Sequence, residues 1–200
     1  MNIAVFASGT GSNFAAIASA VRRKQIPAKL ALLVCDNPRA KVMSKAKRAG
    51  IEVFLIDRDS FKDKRSFEKA IIARLKQARI GCIALAGFMR ILGPEFVRAF
   101  KNRIINIHPA LLPAFKGGHG IADAFAYGVK VTGVTVHFVD EHMDHGPIIM
   151  QEAVPVREHD TLASLEAAIH RVEHRLYPHA IRLFVQGRLK VRGRNVVITK

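Results

Sequence analysis

The sequence predicts an α/β protein: one doubly wound, mostly parallel sheet with antiparallel strands added in the C-terminal half. Three observations carry that reading. Short continuous apolar runs alternate with amphipathic stretches through the first half of the chain. After Pro113 the texture changes to beta-branched residues alternating with polar ones. The 200 residues, 50% of them hydrophobic, suit one full-sized domain (1–200), and no linker or internal repeat interrupts them.

Taken in order, Ile3 to Ala7 reads as the first strand, and a Gly/Ser turn leads into a helix from about Asn13 to Lys24. Leu30 to Cys35 is the second strand, Pro38 opens a helix ending near Gly50, and Val53 to Ile56 is the third strand. Ser66 to Ala78 places Phe67, Ala70, Ile71 and Leu75 at near-helical spacing. Ile80 to Ala86 and Ile104 to Ile107 are further strands, continuous in hydrophobicity but for Asn106, as parallel strands covered on both faces tend to be. Val131 to Val139 and Ile148 to Val156 form an antiparallel pair across a Gly-Pro turn. A long helix follows from Thr161 to about Gln186 with Gly187 as its stop, and Leu189 to Ile198 forms a hairpin around Arg192-Gly193-Arg194-Asn195. Ligands of such sheets bind beyond the carboxyl ends of the strands. That rule directs attention to loops 8–13, 87–93, 108–119 and 140–146.

Composition narrows the class. Cys35 and Cys82 each sit in an apolar, strand-like run, which fits buried, reduced thiols and a cytoplasmic protein. Met1 to Phe6 has neither a basic lead nor a long apolar stretch, so no signal peptide and no membrane span are expected. Lys plus Arg number 32 against 16 Asp plus Glu, a formal charge of +16 that attracts anions of many kinds. These cations are spread along the chain without an aromatic-rich RNA-binding signature. Solvated helix faces account for them better than a nucleic-acid groove does.

Three groups of residues suggest chemistry. Ser8-Gly9-Thr10-Gly11-Ser12-Asn13 joins a strand to a helix, where free N–H groups attract phosphate. Phe14 stands where a dinucleotide fingerprint needs its third glycine, although Asp36 would suit that alternative as a ribose-binding acid. Asn106 and His108 lie two residues apart on one strand and so face the same way, a pair able to hold an oxyanion. A carboxylate from the acidic loop Asp140 to Gly146, such as Asp144, would raise the pKa of His108 if the two met. His170-Arg171-Val172-Glu173-His174 matches a zinc-protease pattern, yet no Asp or Glu follows Glu173 to complete it. A turn histidine is the simpler account of His142 and His145.

Four segments, in order, carry a resemblance: Ser8 to Asn13, Ala86-Gly87-Phe88-Met89-Arg90-Ile91-Leu92, Asn106-Ile107-His108-Pro109-Ala110-Leu111-Leu112-Pro113, and Gly133 to Pro147. Together they resemble the glycinamide ribonucleotide formyltransferases over nearly the whole chain. The resemblance implies a Rossmann-like formyltransferase fold. It also implies transfer of a formyl group from 10-formyltetrahydrofolate, a co-substrate, to the amine of the ribonucleotide, with no metal. Asn106, His108 and Asp144 would be catalytic. Gly11, Ser12, Asn13, Gly87, Pro109, His170 and Glu173 would bind the ribonucleotide. Lys64, Met89, Arg90, Ile91, Leu92, Asn106 and the loop Asp140, Glu141, His142, Met143, Asp144 would bind the folate. The nucleotide-binding half would span about 1–100, and the folate-binding and catalytic half about 101–200.

Small molecules would be the only partners, with neither nucleic acid nor membrane, and the assembly would be a monomer or homodimer. A hydrolase cleaving formyl-folate with water is the related alternative. This sequence departs from the family pattern at Ala110, where serine is common, and at Lys116, where proline is frequent. It departs again at His142 and His145, where smaller or less titratable residues are usual.

Overall fold

The computed structural model describes residues 1–199. Their order is β1 (Asn2–Phe6), α1 (Ser12–Arg22), β2 (Lys29–Cys35), α2 (Lys41–Arg48), β3 (Glu52–Leu55), α3 (Lys64–Gln77), β4 (Ile80–Leu85), α4 (Pro94–Ala99) and β5 (Ile104–His108). There follow α5 (Gly120–Tyr127), β6 (Val131–Phe138), β7 (Ile148–Pro155), α6 (Leu162–Val185), β8 (Leu189–Arg192) and β9 (Asn195–Ile198). One sheet of nine strands runs in the order β3-β2-β1-β4-β5-β6-β7-β9-β8. The pairings from β3 through β5 are parallel. Strands β5, β6 and β7 then pair antiparallel.

Alternation along the central strands feeds two apolar layers. Ile3 and Val5 pack on one face with Phe14 and Ile17 of α1 and with Leu165, Ile169 and Ile181 of α6. Ala4 and Phe6 pack on the other face with Phe67, Ile71 and Leu75 of α3 and with Phe96 of α4. Burial on both faces explains why β1, β2 and β4 read as unbroken apolar runs. The fully buried Tyr177 of α6 sets its hydroxyl 2.9 Å from the carbonyl of Leu85 and 2.8 Å from that of Ile105. It thereby fastens the long helix to neighbouring strands directly beneath the site.

The structure revises several boundaries. Residue 38 does not open α2: residues 38–40 form a turn and the helix begins at Lys41. Two short helices that periodicity did not suggest, α4 and α5, fill the stretches 94–99 and 120–127. Pro178 lies inside α6 without ending it. Because β1 sits between β2 and β4, the chain direction of the windings reverses beside it. The carboxyl ends of β1 and β4 border that switch point, which is where an open α/β sheet forms its crevice.

Replacing Tyr177 by Phe removes a buried donor from two carbonyls, so a urea titration should show stability falling by about 1–2 kcal/mol with the fold retained. An unchanged midpoint would contradict this account of the helix anchor.

Candidate active site

A cleft of about 490 Å³ opens at the switch point. Its walls come from the turn after β1, the loop after β4, the end of β5, the loop after β6 and the middle of α6.

The turn after β1 is built for close approach. Gly11 adopts φ +70°, and a Cβ there would lie 2.5 Å from the side chain of Val42, so only glycine fits. No side chain caps α1, which leaves the amides of its first turn free for an anion. Asn13 donates to Glu173 over 3.1 Å, and its own carbonyl oxygen is buried without a partner. An orphaned acceptor in a cleft wall suits a ligand N–H or O–H. Glu173, buried in α6, also accepts from His170 Nδ1 at 2.9 Å, and that bond, joined by the carboxylate charge, raises the His170 pKa against the opposing effect of burial.

The dinucleotide alternative does not survive this geometry. Phe14 is buried in the core. Asp36 is occupied by the Ser8 hydroxyl and the Arg90 guanidinium, so it presents no free carboxylate to a ribose. The zinc-protease pattern fails as well, because Glu173 is engaged by Asn13 and His170.

At the end of β5, the antiparallel register sets Asn106 opposite His137 and His108 opposite Thr135. His137 is buried, and its Nδ1 lies 2.8 Å from the Phe138 carbonyl. That contact makes Nδ1 the donor and leaves Nε2 as an acceptor for the Asn106 amide at 3.1 Å. The other amide hydrogen of Asn106 points to Asp144 Oδ1 at 3.4 Å. Asp144 Oδ2 accepts from the Gly117 amide at 2.8 Å and lies 3.5 Å from His108 Nδ1. The expected trio therefore meets, and His137 joins it. Sequence reasoning gave His137 no role. Its signal was its place on β6, two residues beyond Thr135 and opposite Asn106 once the strands pair.

The electrostatics correct one expectation. Asp144 does approach His108, yet the His108 pKa is lowered, because burial outweighs the Asp144 charge and the bond from Nε2 to the Phe115 carbonyl. Burial also works to raise the Asp144 pKa, but the neighbouring His137 side chain, the hydrogen bond from the Gly117 amide and the nearby His108 imidazole bring it below the usual value.

The remaining expected residues divide into those at the cleft and one that is not. Gly87, Met89, Arg90, Ile91, Leu92 and Pro109 line it, as do Asp140, Glu141, His142 and Met143. Met89, Ile91 and Met143 are exposed apolar side chains at its rim, suited to a flat ring. Lys64 is not among the lining residues; it sits at the start of α3, 3.8 Å from Glu68. Its link to the cleft is indirect, since Glu68 accepts from the Gly93 amide at 2.8 Å at the foot of the loop after β4.

Asp140, His142 and His145 could offer a metal three donor atoms within 4.8 Å of one another. In the structure these groups satisfy each other and Arg194: His145 Nδ1 meets Asp140 Oδ2 at 2.7 Å, and an Arg194 Nη1 lies 3.2 Å from His145 Nε2.

Comparison with known proteins agrees with this geometry. The formyl transferase family profile matches residues 1–181. The phosphoribosylglycinamide formyltransferase of Bacillus subtilis (strain 168) is 50% identical over 179 residues, covering 90% of this chain and 92% of that protein. The human trifunctional purine biosynthetic protein adenosine-3 is 40% identical over 189 residues, which is 94% of this chain and 19% of that protein. A crystal structure of glycinamide ribonucleotide transformylase 1 from Symbiobacterium toebii superposes with a TM-score of 0.97 at 43% identity, covering 100% of this chain and 94% of that one.

A histidine with a depressed pKa makes the unfolded chain the better proton binder, so its contribution to stability is full above about pH 6.5 and is lost as pH falls below that. Between pH 7 and pH 5 the urea midpoint of the wild type should therefore drop further than that of His108→Asn. An equal drop in both proteins would contradict the burial argument.

Proposed function

The chain belongs to the formyl transferase family, and we infer from its relatives and its cleft that it transfers a formyl group to the amine of N1-(5-phosphoribosyl)glycinamide, a step of purine biosynthesis. The donor is 10-formyltetrahydrofolate, acting as co-substrate, and we assign the reaction to the cytoplasm. Among the described residues no helix is long and apolar enough to cross a membrane. The observation that carries the reading is the meeting of Asn106, His108 and Asp144 beside an uncapped, glycine-led helix start.

The residues divide the work by their chemistry. Amides of Gly11, Ser12 and Asn13 receive the phosphate at the positive end of α1. The orphaned Asn13 oxygen and the Glu173 carboxylate offer acceptors to the rest of the ribonucleotide, with Gly87, Pro109 and His170 nearby. Met89, Ile91 and Leu92 cover the folate ring, and the loop from Asp140 to Asp144 holds its polar edge.

As the amine adds to the formyl carbon, negative charge develops on the formyl oxygen. Asn106 and protonated His108 stabilise that charge with N–H donors. The proton lost by the attacking amine passes through water to the folate nitrogen as its bond to the formyl carbon breaks. Charge developing on the oxygen adds to the field of Asp144, and the two together overcome the burial that disfavours the His108 cation.

Both donors are engaged, the Asn106 amide with His137 and Asp144. His108 Nε2 is held by the Phe115 carbonyl at 2.7 Å, and Asp144 holds the Gly117 amide. An oxyanion that accepts from Nε2 competes for it with the Phe115 carbonyl.

His108→Ala and Asp144→Ala should each lower kcat by about two orders of magnitude or more, the range found when an oxyanion donor or its support is lost. Circular dichroism would verify that each variant remains folded. Near-wild-type kcat in either folded variant would refute the assigned roles.

A further inference from the structure

The loop that carries Asp144 is clamped by a segment beyond the residues that the family profile matches. The hairpin β8–β9 lies beyond the matched residues 1–181 and joins the sheet beside β7, where Ile148 pairs with Asn195. Its turn brings Arg194 to His145, the residue next to Asp144. One guanidinium nitrogen donates to the His145 carbonyl at 2.8 Å, and the other lies 3.2 Å from Nε2 of the ring.

On the ring's other side, Nδ1 meets Asp140 Oδ2 at 2.7 Å, while Asp140 Oδ1 accepts from the His142 amide at 2.9 Å. A neutral His145 with its proton on Nδ1 satisfies both ring contacts: it donates to Asp140 and accepts from Arg194. The loop's outer end is held by a second cation, Arg98 of α4, 2.9 Å from Glu141.

We propose that Arg194 is a positioning residue for the catalytic loop, fixing the backbone of Asp144 through His145. The inference rests on the formyl-transfer reading for its kinetic consequence but not for its structural one. Asp144 stands at φ +47°, a left-handed conformation that Asp adopts more readily than most residues but that its surroundings still have to hold. Gly146 supplies one constraint, since a Cβ there would lie 1.9 Å from the Phe138 carbonyl and the backbone must pass close to β6. Between these points Glu141, His142 and Met143 are exposed, with the His142 ring set edge-on to that of His145 at 5.2 Å.

The Asp140–His145–Arg194 chain supplies the missing constraint. Arginine suits the task because its planar fork reaches a carbonyl and a ring nitrogen together; a lysine ammonium offers a single point of charge.

The test pairs loop dynamics with kinetics in Arg194→Ala and Arg194→Lys. Hydrogen exchange of the amides in 140–146 should quicken by about fivefold or more in both variants, while the rest of the chain exchanges as before. Loss of an exposed arginine should leave the melting temperature within about 3 °C of the wild type. The KM for 10-formyltetrahydrofolate should rise and kcat fall, together lowering kcat/KM by about tenfold, with the KM for the ribonucleotide within about twofold of the wild type.

Lysine should not rescue. Unchanged exchange in the loop, wild-type kinetics in Arg194→Ala, or full recovery in Arg194→Lys would each overturn the proposal. Absence of turnover by the wild type would instead fault the formyl-transfer reading, and the exchange data would still judge the clamp.

Discussion

The site depends on the antiparallel register between β5 and β6. That register puts Asn106 against His137 at the carboxyl end of the parallel sheet, where the loop after β6 can bring Asp144 back over both. Because His137 donates to the Phe138 carbonyl, its other nitrogen can only accept, and this fixes which way the Asn106 amide points. A slip of one residue would turn Asn106 and His108 to the opposite face of the sheet. The apolar layers on both faces hold the register, and Tyr177 ties β4 and β5 to the long helix from below.

Burial and charge act against each other at this point. His108 is shielded enough to prefer the neutral form, while Asp144 stays ionised through the hydrogen bonds it receives. A site so arranged need not carry a permanent imidazolium; it favours one when negative charge develops beside it. The +16 overall charge contributes differently. Most of its cations are dispersed, and pairs such as Arg65–Glu95 are exposed, so each adds little to stability. Their collective field draws anions, a category that includes both phosphate and folate carboxylates.

Much of the fold was legible from the sequence. Apolar runs marked β1, β2 and β4, a shorter one broken by Asn106 marked β5, alternation marked β6, and the change after Pro113 marked the turn from parallel to antiparallel pairing. The helices α4 and α5 were not legible because each spans fewer than three turns, too short for periodicity to declare itself. In the site, Asn106, His108 and the glycine-rich turn followed from spacing and the acidic loop offered Asp144, whereas Glu173 as a ribonucleotide contact needed the family resemblance to enter. His137 was missed because its role exists only after strand pairing. Arg90, read as a folate contact, also directs its guanidinium to Asp36 and over the ring of Phe67, partners that sequence distance conceals. The direction of the His108 pKa was misjudged because a nearby carboxylate can be guessed from sequence, while the degree of burial cannot.

Formyl-folate turnover measured with and without N1-(5-phosphoribosyl)glycinamide tests the central claim most directly. Spectrophotometric assay with 10-formyltetrahydrofolate should show tetrahydrofolate forming only when the ribonucleotide is present, in equal amount to the formylated product. Turnover with water alone would make the chain a hydrolase, and absence of turnover under both conditions would contradict the assignment of the cleft.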